Sequence, residues 1–387
     1  MNRVDFAPMT QGEMERAWGG PLPVLEPIYY EMAKDFSSGR PELAPYVMKK
    51  FFTLEEAEIA MALPGTAESV AAKLGKDLKA VEDCLHHMYL VCKVLKNSNG
   101  YVRHSTIPFF RNTMFTQTND TSICDQQGAR LFNAWDAVIR YDDGIAGGRP
   151  EQTMRIVPKW EAIKNIPGVM PCESIPDHLR GNLENVRQKL CPCREVTSYA
   201  EHGAPYMSNC RTGIVNNDIK KGVCIGLREG DRYYEQIGCS YHPTAEELEA
   251  HIRYLEAHPV FYMVENQRDF GGLCCCCDDC DCGVRRPYEA GNPDFYVKSR
   301  FLSTVAKPQL CDGCGKCEEH CAFQKSIRVV NGKPVVNAAT CHGCGVCVTL
   351  CKPGALKMKL IRPAEHIPES LDVTSSMEWL VKTSDLA

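Results

Sequence analysis

Apolar positions in this chain recur with two periods, helical toward the amino end and strand-like toward the carboxyl end. Thr53-Leu-Glu-Glu56 has the capping-box form and predicts a helix that Pro64-Gly65 ends. Thr66 to Leu74 predicts a second helix closed by Gly75. Asp77 caps a third, with Leu78, Val81, Leu85, Met88 and Tyr89 at helical spacing. Val91 to Lys96 and Tyr101 to His104, flanking Asn97-Ser-Asn-Gly100, then read as a hairpin. Residues 1–50 are rich in Pro and aromatics with weak periodicity, which predicts a lead-in helix with loops.

Further on, Ala129 to Tyr141 predicts an amphipathic helix whose Leu131, Trp135 and Val138 face a core. Pro158 to Pro176 reads as a loop with one helical turn, and Leu183 to Leu190 as a short helix. Thr244 and Glu247 form a second capping box, opening a helix to about Ala257. Ile327 to Val336 carries two β-branched runs around Asn331-Gly332, a hairpin signal. Ala355 to Leu360 alternates as a half-buried strand does. Ser375 to Val381 reads as one short terminal helix.

These elements predict an α+β, multidomain chain: a lead-in segment at 1–50, three helices and a hairpin at 51–105, an irregular Cys-rich α/β middle at 106–300, a compact unit at 301–362 and a tail at 363–387. A length of 387 residues suits two or three domains. The 44% apolar content is that of an ordinary globular protein, and the net charge of −5 is spread without a basic stripe. The amino end lacks an apolar signal region and no run approaches a membrane span, so a cytoplasmic location without membrane contact is expected.

Composition departs from the ordinary at cysteine, with 23 residues. Length and spacing argue for metal ligation in a reducing compartment over a disulfide scaffold. Two runs have the form C-x2-C-x2-C-x3-C: Cys311, Cys314, Cys317, Cys321 and Cys341, Cys344, Cys347, Cys351. That is the spacing of a protein holding two iron–sulfur cubanes, in which the fourth cysteine serves the other cluster. One cluster is therefore assigned Cys311, Cys314, Cys317 and Cys351, and the other Cys341, Cys344, Cys347 and Cys321. Structural zinc would favour two C-x2-C pairs across a longer loop. The segment from about Lys307 to Arg362 resembles the bacterial two-cluster ferredoxin fold, which implies two 4Fe–4S clusters and electron transfer. The proline usual after the fourth cysteine is replaced by Ala322 and Lys352.

Eleven more cysteines fall between Cys191 and Cys282. Cys191-Pro-Cys193-Arg194 opens this set, and Cys274 to Cys277 form a run whose side chains alternate if extended. A third site drawn from Cys191 or Cys193, Cys224, and one or two of Cys274, Cys275, Cys276 and Cys277 is expected, either iron–sulfur or zinc, the alternative being free buried thiols that simply pack. Arg194 beside it is placed to hold a neighbouring carboxylate or to lower thiolate pKa values. Cys84, Cys92, Cys124 and Cys172 read as packed thiols, and His202, His242, His251 and His258 as solvated or core histidines.

Three helices and a hairpin at 51–105 resemble a winged helix-turn-helix. Its third helix carries Glu82, Asp83, His86 and His87, with basic residues only at Lys76 and Lys79, so nucleic acid is a poor match as partner. As a whole, residues 50–360 resemble a group of anaerobe iron–sulfur proteins that pair a winged-helix-like part, a C-x-C-R and multi-Cys middle, and a two-cluster ferredoxin end. The resemblance implies an electron-transfer subunit or partner of an anaerobic oxidoreductase, exchanging electrons with a redox protein or enzyme subunit. The alternatives are an oxidoreductase whose active site is the middle centre, and a redox-responsive DNA-binding regulator. Neither P-loop nor Rossmann fingerprint is present.

Overall fold

A computed structural model describes residues 8–36, 40–104, 110–111, 114–115, 124–136, 154–205, 212–277, 296–323 and 325–370. The chain is mixed helix and sheet. Helices α1 (Gln11–Trp18), α2 (Pro27–Ala33), α3 (Ala44–Phe51), α4 (Leu54–Met61), α5 (Ala67–Leu74) and α6 (Leu78–Leu90) come first, followed by the antiparallel hairpin β1 (Val94–Asn97) and β2 (Gly100–Arg103). Three helices where a lead-in segment was expected follow from two capping devices. Thr10 and Glu13 form a reciprocal box at α1, and prolines open α2 and α3.

One apolar core takes residues from all of these helices and from α7 (Gln126–Asp136). It disregards the boundaries expected at 50 and 105: Tyr29, Met48, Val81, Phe110 and Trp135 share it. Inside it, Glu56 accepts from Lys93 Nζ at 2.7 Å, both nearly sealed from solvent.

The middle of the chain is not irregular. After β3 (Met154–Val157), α8 (Trp160–Ile163), α9 (Ile175–Gly181), β4 (Arg187–Lys189), α10 (Pro192–His202), β5 (Cys224–Gly226), α11 (Arg232–Gln236) and α12 (Ala245–Ala257) come β6 (Phe261–Glu265) and β7 (Gly272–Cys276). The five strands form one antiparallel sheet in the order β3-β6-β7-β5-β4. Residues 187–189, expected as helix, are the edge strand of this sheet; only a short 3-10 turn, Leu183–Asn185, precedes them. Both faces of the sheet are covered. β6 is buried at every position, so its pattern lacks the alternation that marks a half-exposed strand.

One face carries Val157, Ile225, Tyr262, Val264, Leu273 and Cys275 and packs on α9 and α12. The other carries Ile156, Phe261, Met263 and Cys276, with Cys274 at its margin, and packs on Phe323 and Val346 of the C-terminal unit. That unit holds β8 (Phe301–Val305), α13 (Lys316–Glu319), the hairpin β9 (Ile327–Val330) and β10 (Lys333–Val336), α14 (Val346–Leu350) and β11 (Leu356–Leu360). β11 pairs antiparallel with β8. The unit is clamped to the middle by Arg300, whose Nη1 meets Glu173 Oε2 at 2.8 Å with both groups buried. Among the described residues no helix is long and apolar enough to cross a membrane. The helix expected at 375–381 lies outside the described residues.

Candidate metal centre

Each C-terminal cysteine run wraps a glycine-rich loop and ends in a short helix. Gly315 and Gly345, both with positive φ, precede α13 and α14. At Gly343, φ is +69°, and a Cβ would collide with the Phe301 carbonyl and Ser299 Oγ, so only glycine lets this loop lie against β8. The loop is fastened further by Ser299 Oγ donating to the Gly343 carbonyl at 2.8 Å and by the Lys159 N–H donating to the Cys344 carbonyl at 3.0 Å.

Cys321, Cys341, Cys344 and Cys347 line one small cavity, whose walls also include Phe323, Ile327, Val346 and the buried ring of His342. Three of these sulfurs come from one run and the fourth from the other. Burial, then neighbouring Cys347, Cys321 and Cys341, push the Cys344 thiol well above its ordinary range. Burial pushes Cys347 up to about 12, even though its Sγ lies 3.2 Å from Ser303 Oγ. The reciprocal grouping occurs nearer the surface. Cys317, raised by burial to about 11, feels both Cys314 and Cys351, while the Gly313 N–H donates to Cys311 Sγ at 3.4 Å.

Four thiols line one cavity, and burial with their neighbours raises Cys344 and Cys347 so far that separate thiolates there are an electrostatic mismatch. The four suit a polynuclear cationic centre, which takes deprotonated sulfur and repays its desolvation. Among the described residues no three His, Cys, Asp or Glu side chains form a single-ion site. A cubane puts each thiolate on a different iron, so its ligands need not converge on one point.

The middle cysteines divide between the faces of the sheet. Cys275 points into the apolar layer beneath α12, where Cys191 also packs; burial drives the Cys275 thiol strongly upward. Cys274 and Cys276 point to the opposite face. Cys224 on β5 stands directly across from Cys274 on β7. Cys276 donates to Cys274, lowering that thiol's pKa, whereas burial raises Cys224 to about 12. Cys193, in the first turn of α10, lies within electrostatic range of both Cys224 and Cys274. Cys277 is buried beside them and accepts from Arg194 Nη2 at 3.6 Å.

Basic side chains surround this group, and sequence reasoning found only Arg194. Arg111, from the helical part, donates to Cys193 Sγ at 3.6 Å. Lys189 sits across from Cys224 on β4, paired with Asp231 at 2.9 Å. No sequence signal marked either residue, because each reaches the thiols only through tertiary packing. The histidines expected to be structural are so placed: His251 is buried, His258 Nδ1 lies 2.7 Å from the Tyr254 carbonyl, and His202 is exposed. Cys210, Cys280 and Cys282 lie outside the described residues.

No family model, curated protein or solved structure matches this chain.

Proposed function

We propose that this chain is an iron–sulfur electron-transfer protein. It would carry two 4Fe–4S clusters in a ferredoxin-like C-terminal unit, a third metal or cluster site in the middle, and act as subunit or partner of an anaerobic oxidoreductase. The observation that carries the reading is the cavity lined jointly by Cys341, Cys344, Cys347 and Cys321, with its reciprocal group at Cys314, Cys317 and Cys351. Two contacts support the exchange of the fourth ligand that the spacing calls for: Cys321 lines the cavity of the second run, and Cys351 is an electrostatic neighbour of Cys317 in the first.

When bound, such clusters accept and release single electrons. The protein's part is to hold eight thiolates, exclude water and set the field. It grades exposure along one line. Cys314 and Leu310 are exposed, while Cys341 and His342 are buried. An external redox partner would therefore meet the Cys311 end, with the Cys341 end on the inside against the sheet.

A redox enzyme centred on the middle thiols is favoured by one observation: Cys274 and Cys276 face the layer that also holds Cys321 and Cys344. The DNA-binding reading fares worse. On α6, Lys79 is paired to Asp83, and the groove between α6 and the β1–β2 hairpin is rimmed by Glu68, Glu82 and Asp83.

Anaerobically purified protein tests the proposal. Brown colour, acid-labile sulfide and at least roughly eight irons per chain are expected from two cubanes. A colourless protein after reconstitution with iron and sulfide would overturn it.

A further inference from the structure

We propose that Cys193, Cys224, Cys274 and Cys276 are the ligands of a third iron–sulfur centre, seated on the sheet face that packs against the C-terminal unit. Its neighbours rest on the two-cluster reading; its ligand set rests on the geometry of the sheet.

The Cys275 N–H donates to the Val223 carbonyl at 3.0 Å, which makes Val223 and Cys275 a hydrogen-bonded pair. Cys224 and Cys274, one step along the same register, are then a non-hydrogen-bonded pair. In such pairs the strands approach most closely and the side chains stand side by side. Cys276, two residues on, shares the Cys274 face because strand side chains alternate. Three sulfurs thus project from two adjacent strands in the same direction.

The fourth comes from the start of α10, an eleven-residue helix. Cys193 occupies its first turn, where the helix dipole favours thiolate. Arg111 donates to this sulfur, and Lys189 lies on the same face as Cys224. A centre with four thiolates is anionic overall, and buried cations at its edge offset the charge. Cys191 and Cys275 do not belong to the set, because both are buried within the apolar layer on the other face; Cys193 lies only at the margin of that layer, within electrostatic range of Cys224 and Cys274.

Position decides what the centre would do. Cys274 and Cys276 share a packed layer with Cys321 and Cys344, which places the site next in line after the inner C-terminal cavity. Transfer along that line moves one electron and no atoms: one centre is oxidised as its neighbour is reduced, and a low-potential redox protein is the outside donor.

The test is metal analysis and EPR on the full chain, reconstituted anaerobically with iron and sulfide and reduced with dithionite. About twelve irons are expected for the native chain, at four per cluster. The double variant Cys224→Ser/Cys274→Ser should lose about four and keep about eight, and those retained report an intact fold. Cys193→Ala alone should alter only the third EPR signal, while Cys191→Ser and Cys275→Ser leave all three. If the double variant fails to fold, the Cys193→Ala spectrum and the native iron count decide. A native chain with about eight irons overturns the inference, as does one zinc in place of the third cluster or a Cys224–Cys274 disulfide in anaerobically alkylated protein. Failure of the two-cluster reading would look different, with iron unaffected by Cys314→Ser and Cys344→Ser.

Discussion

The main-chain N–H of Lys159 donates to the carbonyl oxygen of Cys344 at 3.0 Å, joining the residue before α8 to the inner cysteine loop. The side chain of the same lysine is fully buried, and its Nζ reaches the Leu255 carbonyl at 2.5 Å, the His258 carbonyl at 3.1 Å and the Tyr262 hydroxyl at 3.1 Å. Three oxygens suit the three donors of an ammonium group, which would place a cation in the interior close to the inner loop. Burial lowers the Lys159 pKa, while Glu256, Cys275 and Cys344 oppose that shift.

Lys159→Met should therefore lower the reduction potential of the centre proposed at Cys341, Cys344, Cys347 and Cys321. At an effective dielectric of about 20, loss of a nearby buried unit charge shifts a one-electron potential on the order of tens of millivolts. Redox titration followed by EPR checks this. The signal of the centre bearing Cys311 should not move, and an equal shift in both would refute the assignment.

The exchange of fourth ligands has its own signature. Cys321→Ser should perturb the same EPR signal as Cys344→Ser, and Cys351→Ser the same signal as Cys314→Ser. Pairing within each run, Cys321 with Cys314 and Cys351 with Cys344, is the contrary outcome.

The Arg300–Glu173 pair clamps the C-terminal unit to the middle of the chain with both groups sealed from water. Breaking one partner of such a pair leaves an uncompensated charge and costs about 3–5 kcal/mol. Glu173→Ala should show that loss in anaerobic denaturant unfolding. Glu173→Leu combined with Arg300→Met should recover most of it, because the stranded charge is gone.

Acid should weaken the fold through two neutral imidazoles. Burial lowers both His104 and His251 to about 4, from an ordinary value of 6.5. A depressed folded pKa means the unfolded chain binds the proton more readily, so stability is full above pH 6.5 and falls between 6.5 and 4. Each contributes about 3 kcal/mol across that window. His104→Gln, which keeps a donor toward the Cys92 carbonyl, should flatten the loss between pH 7 and pH 5 in unfolding curves. An unchanged slope would refute the assignment.

Much of the local structure was legible in the residues. The Thr53–Glu56 and Thr244–Glu247 boxes form as their spacing predicts, with the Thr53 and Thr244 N–H groups donating to their glutamates at 2.8 and 2.9 Å. Asn331 and Gly332 turn the β9–β10 hairpin with positive φ at both positions. These are signals within a few residues, where propensity and capping decide the outcome. The strand at 187–189 was not legible: Arg-Gln-Lys is polar throughout, and its two cations are buried only because Glu235 and a main-chain carbonyl receive Arg187 and Asp231 receives Lys189. The three helices before residue 50 were hidden likewise, since their short amphipathic faces make sense only against α7 and α4.

The cysteine site shows the same division. Cys311 to Cys351 carry their grouping in their own spacing, because each set of three thiols belongs to one tight loop whose geometry the intervening glycines determine. For Cys191 to Cys277 the residues stated only that thiols were abundant. Which of them face together depends on the register of β5 against β7 and on where α10 begins, and strand pairing across some fifty residues of chain is decided by burial of whole layers, which no local pattern encodes.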